Sequence, residues 1–317
     1  MTGGDVSVVI VSWNTREYLG RCLAAIPPAA GTLTVETIVV DNGSRDGTPA
    51  MVAGEFPGVR VIQSPENLGF GRASNVGARA SRGRTLLFLN SDCELGPRAL
   101  AAMVGALDEE ASLGGVLCRL LNPDGTLQPS VHRAPPSPWS LIGDLVFLSS
   151  LRYAVYRTPA LHRWLLRSTT RSHREAHDVA WGGAACLLVR RDVFEAVGGF
   201  DERFFMYCED MDLCKRIRDA GYRLRYLPGP SAIHHWGKST AQSPAAMLQE
   251  AYRSRLRYFE KHFPGWRGRM AGRIVTAELR VRSLVFSLMA CLPSRRQPWF
   301  RDRAAASAAC LAQLRKS

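Results

Sequence analysis

The sequence predicts an α/β protein built on a mainly parallel sheet flanked by helices. Three observations carry this. Strand-like runs in the first third are apolar along most of their length rather than alternating, as strands covered on both faces must be. Helical stretches separate them one by one. Short polar clusters follow directly on the runs, where open sheets of this kind hold their ligands, beyond the carboxyl ends of the strands.

Taken in order, Val6 to Val11 is a β-branched run, and a helix is expected from Thr15 to Ile26, ended by Pro27-Pro28. Thr37 to Asp41 is the second strand, after which Thr48 caps a helix with Pro49 in its first turn. Val59 to Gln63 reads as a short strand, Gly69 to Arg82 as a helix, Thr85 to Asn90 as a strand around the apolar Leu86–Leu89, and Pro97 as the start of another helix. Residues 129–180 differ in texture. Prolines 129, 135, 136 and 138 precede an apolar stretch from Trp139 to Trp164 with spaced arginines (152, 157, 163, 167), which suits a helical insertion. The sheet resumes at Ala184 to Val189. Asp192 and Glu195 offer a capping-box pair for a helix that Gly198-Gly199 ends. Glu209 to Ala220 is helical, Gly221 stops it, and Arg223 to Leu227 is a further strand. Helices fill the chain from Pro244, so the expected units are 1–128, 129–180, 181–243 and 244–317.

At 317 residues, 46% hydrophobic and 22% charged, the chain is globular rather than disordered. Its net charge of +13 is unevenly placed. From Lys261 onward twelve Lys/Arg stand against Glu278 and Asp302, so +10 lies in the last 57 residues. A near-neutral body with a basic tail points to an anionic membrane surface rather than to nucleic acid, for which no module or run of stacking aromatics is present. Eight scattered cysteines with no metal spacing read as reduced thiols in a cytoplasmic protein. Asp5 and a strand follow Met1, so no signal peptide is expected. The longest uncharged stretch near the C-terminus, Ser283 to Ser294, has 12 residues and includes Pro293, short of the roughly 20 that a spanning helix needs. The expected location is therefore cytoplasmic and peripheral, at the inner face of the membrane.

Five constellations bear on the chemistry. Asp41 closes the second strand inside Val39-Val40-Asp41-Asn42-Gly43-Ser44. An Asn-Gly turn explains the small polar residues but not a carboxylate at the mouth of a parallel sheet. There it can accept the imide N–H of uracil or thymine, with Trp13 on the neighbouring strand end placed either to stack on the base or to fill the core. Asn67-Leu68-Gly69-Phe70-Gly71 suggests a dinucleotide fingerprint, but it follows the third strand and lacks the acid about 20 residues on. Its glycines are expected to allow close helix-to-sheet packing. Asn90-Ser91-Asp92 ends an apolar strand, and Asp92 can supply a hard oxygen ligand to a cation that completes its shell with phosphate and water. Glu209, Asp210 and Asp212 open a helix, where its dipole favours anions by roughly 0.3–1 kcal/mol each. Asp210 shares the core-facing stripe of Leu213, Cys214 and Ile217, so burial should lift it toward a general base's range, while Asp212 points elsewhere. His234-His235 follow the last strand and could ligate a Mn²⁺-like ion.

Together these motifs resemble the family 2 glycosyltransferases of the GT-A fold, nearest their bacterial rhamnosyltransferase-like branch. The resemblance spans about residues 5 to 240 and includes Gly198-Gly199-Phe200-Asp201-Glu202 and Glu209-Asp210-x-Asp212 in the same order. It implies a nucleotide-sugar half over 1–128 and an acceptor and catalytic half over 181–243. It implies Val11, Trp13, Asn14, Asp41, Asn67, Gly69 and Asn90 around the nucleotide, and Asp92 with His234 or His235 on a divalent cation, Mg²⁺ or Mn²⁺. Asp210 is implied as the catalytic base, with Trp181, Gly183, Glu209 and His235 on the acceptor side or behind the reacting groups. Asn90 departs from the pattern, since many members carry Asp there. The implied reaction is an inverting single displacement from a dTDP- or UDP-linked sugar, rhamnose among them, onto a glycan or lipid-linked hydroxyl in cell-surface polysaccharide or glycolipid assembly. A non-catalytic nucleotide-sugar-binding module of the same fold is the rival reading.

Overall fold

The computed structural model describes residues 4–139, 141, 173–237, 242, 244–291 and 297–314. Most of the 129–180 insertion, with its four arginines, and Ser239-Thr240 lie outside these residues. The chain divides into two compact units. The first draws on residues 1–135, 168–205 and 209–241, the second on 136–167, 206–208 and 242–317.

The first unit is a sheet with helices. Strands β1 (Val6–Ser12), β2 (Val35–Asp41), β3 (Arg60–Gln63) and β4 (Thr85–Asn90) form a parallel block in the order β3-β2-β1-β4. The chain steps outward from β1 to β3 and then returns to the other side of β1. That reversal opens a crevice at the carboxyl ends of β1 and β4. Helices α1 (Arg16–Ala30), α2 (Thr48–Glu55) and α3 (Phe70–Ala80) make the crossovers. Leu86 to Leu89 are wholly buried, as a central strand's side chains must be. α3 approaches the sheet closely because Gly77 has no Cβ; one would stand 2.4 Å from a Val9 methyl.

After β5 (Cys93–Leu95) and α4 (Ala99–Glu109), the sheet continues as β11 (Cys186–Arg190), β6 (Leu113–Leu121) and β12 (Arg223–His234). β11 enters antiparallel between β4 and β6, while β6 and β12 run parallel. The small strands β7 (Leu127–Gln128) and β9 (His177–Val179) pair at the margins, and β8 (Val131–His132) with β10 (Trp181–Gly182) make a separate ribbon. α5 (Arg191–Ala196) and α6 (Glu209–Asp219) complete the unit.

Several expected boundaries move. α1 does not stop at Pro27-Pro28. Ile26, Ala29 and Ala30 are buried and carry the helix onward, and the Pro28 carbonyl accepts from Arg98 N at 3.0 Å. Thr48 is not a cap. Its N–H and hydroxyl both donate to Asp46 Oδ1, and Gly47 takes the left-handed turn at the cap position. The Asp192–Glu195 capping box is not made: Arg190 stands at the cap, and Glu195 pairs with Arg191. β12 runs on to His234 rather than ending at Leu227, because a register shift against β6 between Leu227 and Ser231 absorbs Pro228-Gly229-Pro230.

The second unit contains α7 (Pro244–His262), α8 (Trp266–Cys291) and α9 (Gln297–Leu314). Ala271, Val275 and Leu279 of α8 are buried, as are Tyr258 and Phe259 of α7. Buried among them, Glu278 accepts from Tyr252 Oη at 3.0 Å and Arg255 Nη1 at 2.7 Å, and pairs with Arg282 Nε at 3.0 Å. No helix among the described residues is long and apolar enough to cross a membrane.

Candidate active site

Three strand ends supply the first part of the site. Ser12 pairs in register with Asp41, and Val11 with Asn90, so Val11, Trp13, Asp41 and Asn90 all come from the carboxyl edge of the parallel block. The loops there are tied together. Asn14, at φ 51°, donates its N–H to Ser44 Oγ at 2.9 Å and accepts from Arg45 N at 2.7 Å. Asn42 Nδ2 donates to Asn67 Oδ1 at 3.2 Å and to the Gly69 carbonyl at 3.1 Å, and Asn67 Oδ1 also accepts from Gly69 N. Gly69 sits at φ +79°, where a Cβ would come within 2.2 Å of the Phe205 carbonyl oxygen, so no other residue fits.

Asp41 is 2% exposed. Its Oδ2 accepts from Ser44 N at 3.1 Å, but its Oδ1 is buried with no hydrogen-bond partner. An orphaned buried acceptor costs ~1–3 kcal/mol, a cost that a ligand's N–H at the sheet mouth would remove.

The second part gathers around Asp92. A hydroxyl chain Ser12–Thr15–Ser91, with 3.0 and 2.8 Å links, holds the β4 end against α1. His234 Nε2 lies 3.3 Å from Asp92 Oδ1 and 3.3 Å from Asn90 Nδ2. Behind it, His234 Nδ1 stands 2.7 Å from Gln128 Oε1. Gln128 Nε2 donates to Asn122 Oδ1, which orients its amide oxygen toward the ring. The proton of a neutral His234 therefore belongs on Nδ1, leaving the Nε2 lone pair toward Asp92. Two ligands cis on one ion with bonds of about 2.1 Å stand about 3 Å apart, so this donor pair fits a divalent cation. Among the described residues no three His, Cys, Asp or Glu side chains are grouped so as to hold an ion by themselves. His235 turns away. Its Nε2 meets Glu94 Oε1 at 2.6 Å, and its N–H donates to the Asp92 carbonyl.

The third part is the start of α6, where the three acids separate. Against the expected stripe, Asp212 rather than Asp210 is the fully buried acid, because Arg216 one turn on neutralises it at 2.8 Å. Asp210 is the least buried of the three; it accepts from Met211 N at 2.7 Å and from Ala184 N at 3.2 Å. Burial raises its carboxyl above the ordinary aspartate value, and these N–H groups restrain the rise. Glu209 is buried, with Oε2 unpartnered, and its carboxyl is raised well above the usual range by burial and then by the Asp210 charge. Of this adjacent pair, Glu209 is the more strongly raised, while two N–H donors hold Asp210.

The parts are joined by one short segment. Ala184 N binds Asp210, and Asn90 N donates to the carbonyl of Ala185 at 3.0 Å, so consecutive residues hold the base and the Asn90–Asp92 element. Gly183 leaves Asp210 Oδ2 open on that side, a Cβ position there lying 3.7 Å away. Trp181 stacks on His132 with centroids 3.9 Å apart and planes 7° from parallel. Gln128 and the Ala184 N–H were not singled out from the sequence; a two-residue strand and a backbone donor leave no pattern there.

Glu209 gives a stability prediction. Its folded-state carboxyl titrates above the ordinary value of 4.5, so its contribution to stability is present below that pH and is lost as pH rises toward the folded value. Glu209→Gln should therefore raise the melting temperature at neutral pH by roughly 2–4 °C, with little gain near pH 4. Melting curves across pH check this. An equal gain at all pH values would show that folding does not raise the Glu209 carboxyl.

The family model described as glycosyl transferase family 2 matches residues 7–198. The chain is 32% identical over 272 residues to the N-acetylglucosaminyl-diphospho-decaprenol L-rhamnosyltransferase of Mycobacterium tuberculosis, covering 82% of this chain and 85% of that protein. It is 29% identical over 239 residues to the rhamnosyltransferase WbbL of Escherichia coli, covering 73% and 83%. Among solved structures, a mannosyltransferase of Pyrobaculum calidifontis in complex with GDP-Man and Mn²⁺ aligns over 98% of this chain and 87% of its own, with a TM-score of 0.55 at 17% identity.

Proposed function

Because this chain belongs to glycosyl transferase family 2 and is a glycosyltransferase, we propose that it moves a rhamnosyl group from a nucleoside diphosphate onto a hydroxyl of a lipid-linked saccharide. The observation that carries the reading is the half-buried Asp210 carboxylate, held by Ala184, next to Ala185, which binds Asn90 of the Asn90–Asp92–His234 cluster.

In this reading Asp41 accepts the base's imide N–H through its orphaned Oδ1, an edge that thymine and uracil share. Trp13 and Val11 flank the base, while Asn14, Asn67 and Gly69 shape the loops that receive the nucleoside. Asp92 and His234 would hold a divalent cation, which would neutralise charge on the leaving diphosphate. Asp210 takes the proton from the acceptor hydroxyl as that oxygen attacks the anomeric carbon, and the configuration inverts. Glu209, holding its proton, leaves the charge to Asp210, and a single charged carboxylate suits direct displacement rather than a covalent glycosyl-enzyme. Trp181 offers an aromatic face for an acceptor sugar.

The M. tuberculosis relative's name points to a lipid-diphosphate acceptor, and assembly of a bacterial surface polysaccharide or glycolipid follows from it. Such an acceptor stays in the bilayer, so the enzyme works as a peripheral protein at the inner membrane face.

Incubating the protein with dTDP-rhamnose and a short-chain N-acetylglucosaminyl-diphospho-polyprenol should give a product of inverted anomeric configuration, and chelation should suppress it. UDP-sugars in parallel would separate donor sugar from donor base. Tight donor binding with neither transfer nor hydrolysis would instead identify a nucleotide-sugar-binding module.

A further inference from the structure

The C-terminal half of α8 is apolar on both sides, which packing against neighbouring helices does not require. Its inner face is already occupied: Ala271, Val275, Glu278 and Leu279 are buried, Arg282 pairs with Glu278, and Phe286 meets Phe300 of α9. Arg282 and Phe286 thus belong to the packing within the second unit, not to its outer surface. The adjoining, solvent-facing side carries Val281, Leu284, Val285, Leu288 and Met289, spaced i, i+3, i+4, i+7 and i+8 along the helix. Leu284 and Leu288 are each 60% exposed. Such a continuous stripe marks an interaction surface rather than chance exposure.

The charges beside it select the partner. Arg269, Arg273 and Arg280 are exposed and share one face of the helix, Arg280 beside the stripe and the other two on the turns before it, and Arg267 and the exposed Trp266 stand at the start of α8. The one acid of α8, Glu278, is buried and neutralised. The outward surface of α8 therefore combines an apolar face, a row of arginines, a terminal tryptophan and no anion. A protein groove would have to match all of these at once. A bilayer boundary meets them with acyl chains beneath and phosphate headgroups along the edge.

We infer that this face of α8 docks on an anionic lipid surface, with Leu284 and Leu288 entering the acyl boundary and the arginine row holding the headgroups. The inference rests on the lipid-linked acceptor proposed above, and names the element that brings the enzyme to it.

The test is flotation of the full chain with phosphatidylglycerol–phosphatidylcholine vesicles, beside Leu284→Glu/Leu288→Glu and Leu284→Ser/Leu288→Ser. Both positions face solvent, so the fold should survive, and circular dichroism identifies whichever pair keeps it. The unaltered chain should co-float, less so as salt rises. Each folded double variant should partition about tenfold or more weakly, with unchanged turnover on a water-soluble short-chain acceptor. Equal flotation of all three proteins would overturn the inference, as would no flotation of the unaltered chain. So would a dimer of the unaltered chain, by light scattering, that the variants dissociate, since a second copy would then cover the stripe. Flotation that the variants lose, without transfer to any lipid-linked acceptor, would leave the docking face standing and remove the acceptor reading. Transfer with equal flotation would do the reverse.

Discussion

Asp210→Asn is expected to reduce sugar transfer by about 10²–10⁴-fold while leaving donor affinity within a few-fold. The amide keeps the size of the carboxylate and can still accept from one of Met211 N and Ala184 N, which bind different oxygens of Asp210, so one of the two hydrogen bonds is kept. It cannot take up the acceptor's proton. The pH profile gives a second readout. Since burial raises the Asp210 carboxyl above its ordinary 3.8, wild-type turnover should fall on acidification at a pH above that value. Residual activity in the variant should lack this limb. Retention of more than about a tenth of wild-type turnover would remove Asp210 from the role, because general-base catalysis contributes more than that.

Asp92→Ala is expected to weaken nucleoside-diphosphate binding by about tenfold or more when Mg²⁺ or Mn²⁺ is present, and to change it little in chelator. His234→Ala should behave alike, and the double variant should lose less than the two single losses together, because both residues act through one ion. The 3.3 Å separation of Asp92 Oδ1 and His234 Nε2 is the basis for this coupling. Titration calorimetry with and without the cation separates the outcomes. Losses that are equal in both conditions would make Asp92 a strand-end cap or a sugar contact.

The two results test different halves of the reaction. Asp210 acts on the acceptor side, and Asp92 on the leaving group. Their variants should therefore divide cleanly between turnover and cation-dependent binding. A variant that damaged both would point to disruption of the Ala184–Ala185 segment, which holds both elements.

Much of this protein was determined by local sequence alone. The apolar runs at Val6–Val11, Thr37–Asp41 and Leu86–Leu89, parted by helices, can be buried only in a sheet covered on both faces. Once that sheet is parallel, its carboxyl ends define the crevice, so the placement of Trp13, Asp41 and Asp92 at strand ends follows from the sequence. The family followed from the order of those motifs. Tertiary contacts decided the rest. α1 passes Pro27-Pro28 because burial and the Arg98 N–H hold its last turn, and β12 crosses Pro228-Gly229-Pro230 because β6 tolerates a register shift. Which of the adjacent acids is which also depended on distant partners: Arg216 neutralises Asp212, Ala184 receives Asp210, and nothing receives Glu209 Oε2. The histidines show the division most plainly. Neighbouring residues at a strand end point to opposite faces, so sequence could say only that one of His234 and His235 turns toward Asp92. The pairing of His234 with Cys93 across β12 and β5, and the Gln128 amide behind the ring, settle that it is His234, because face and tautomer are properties of a register and not of a residue.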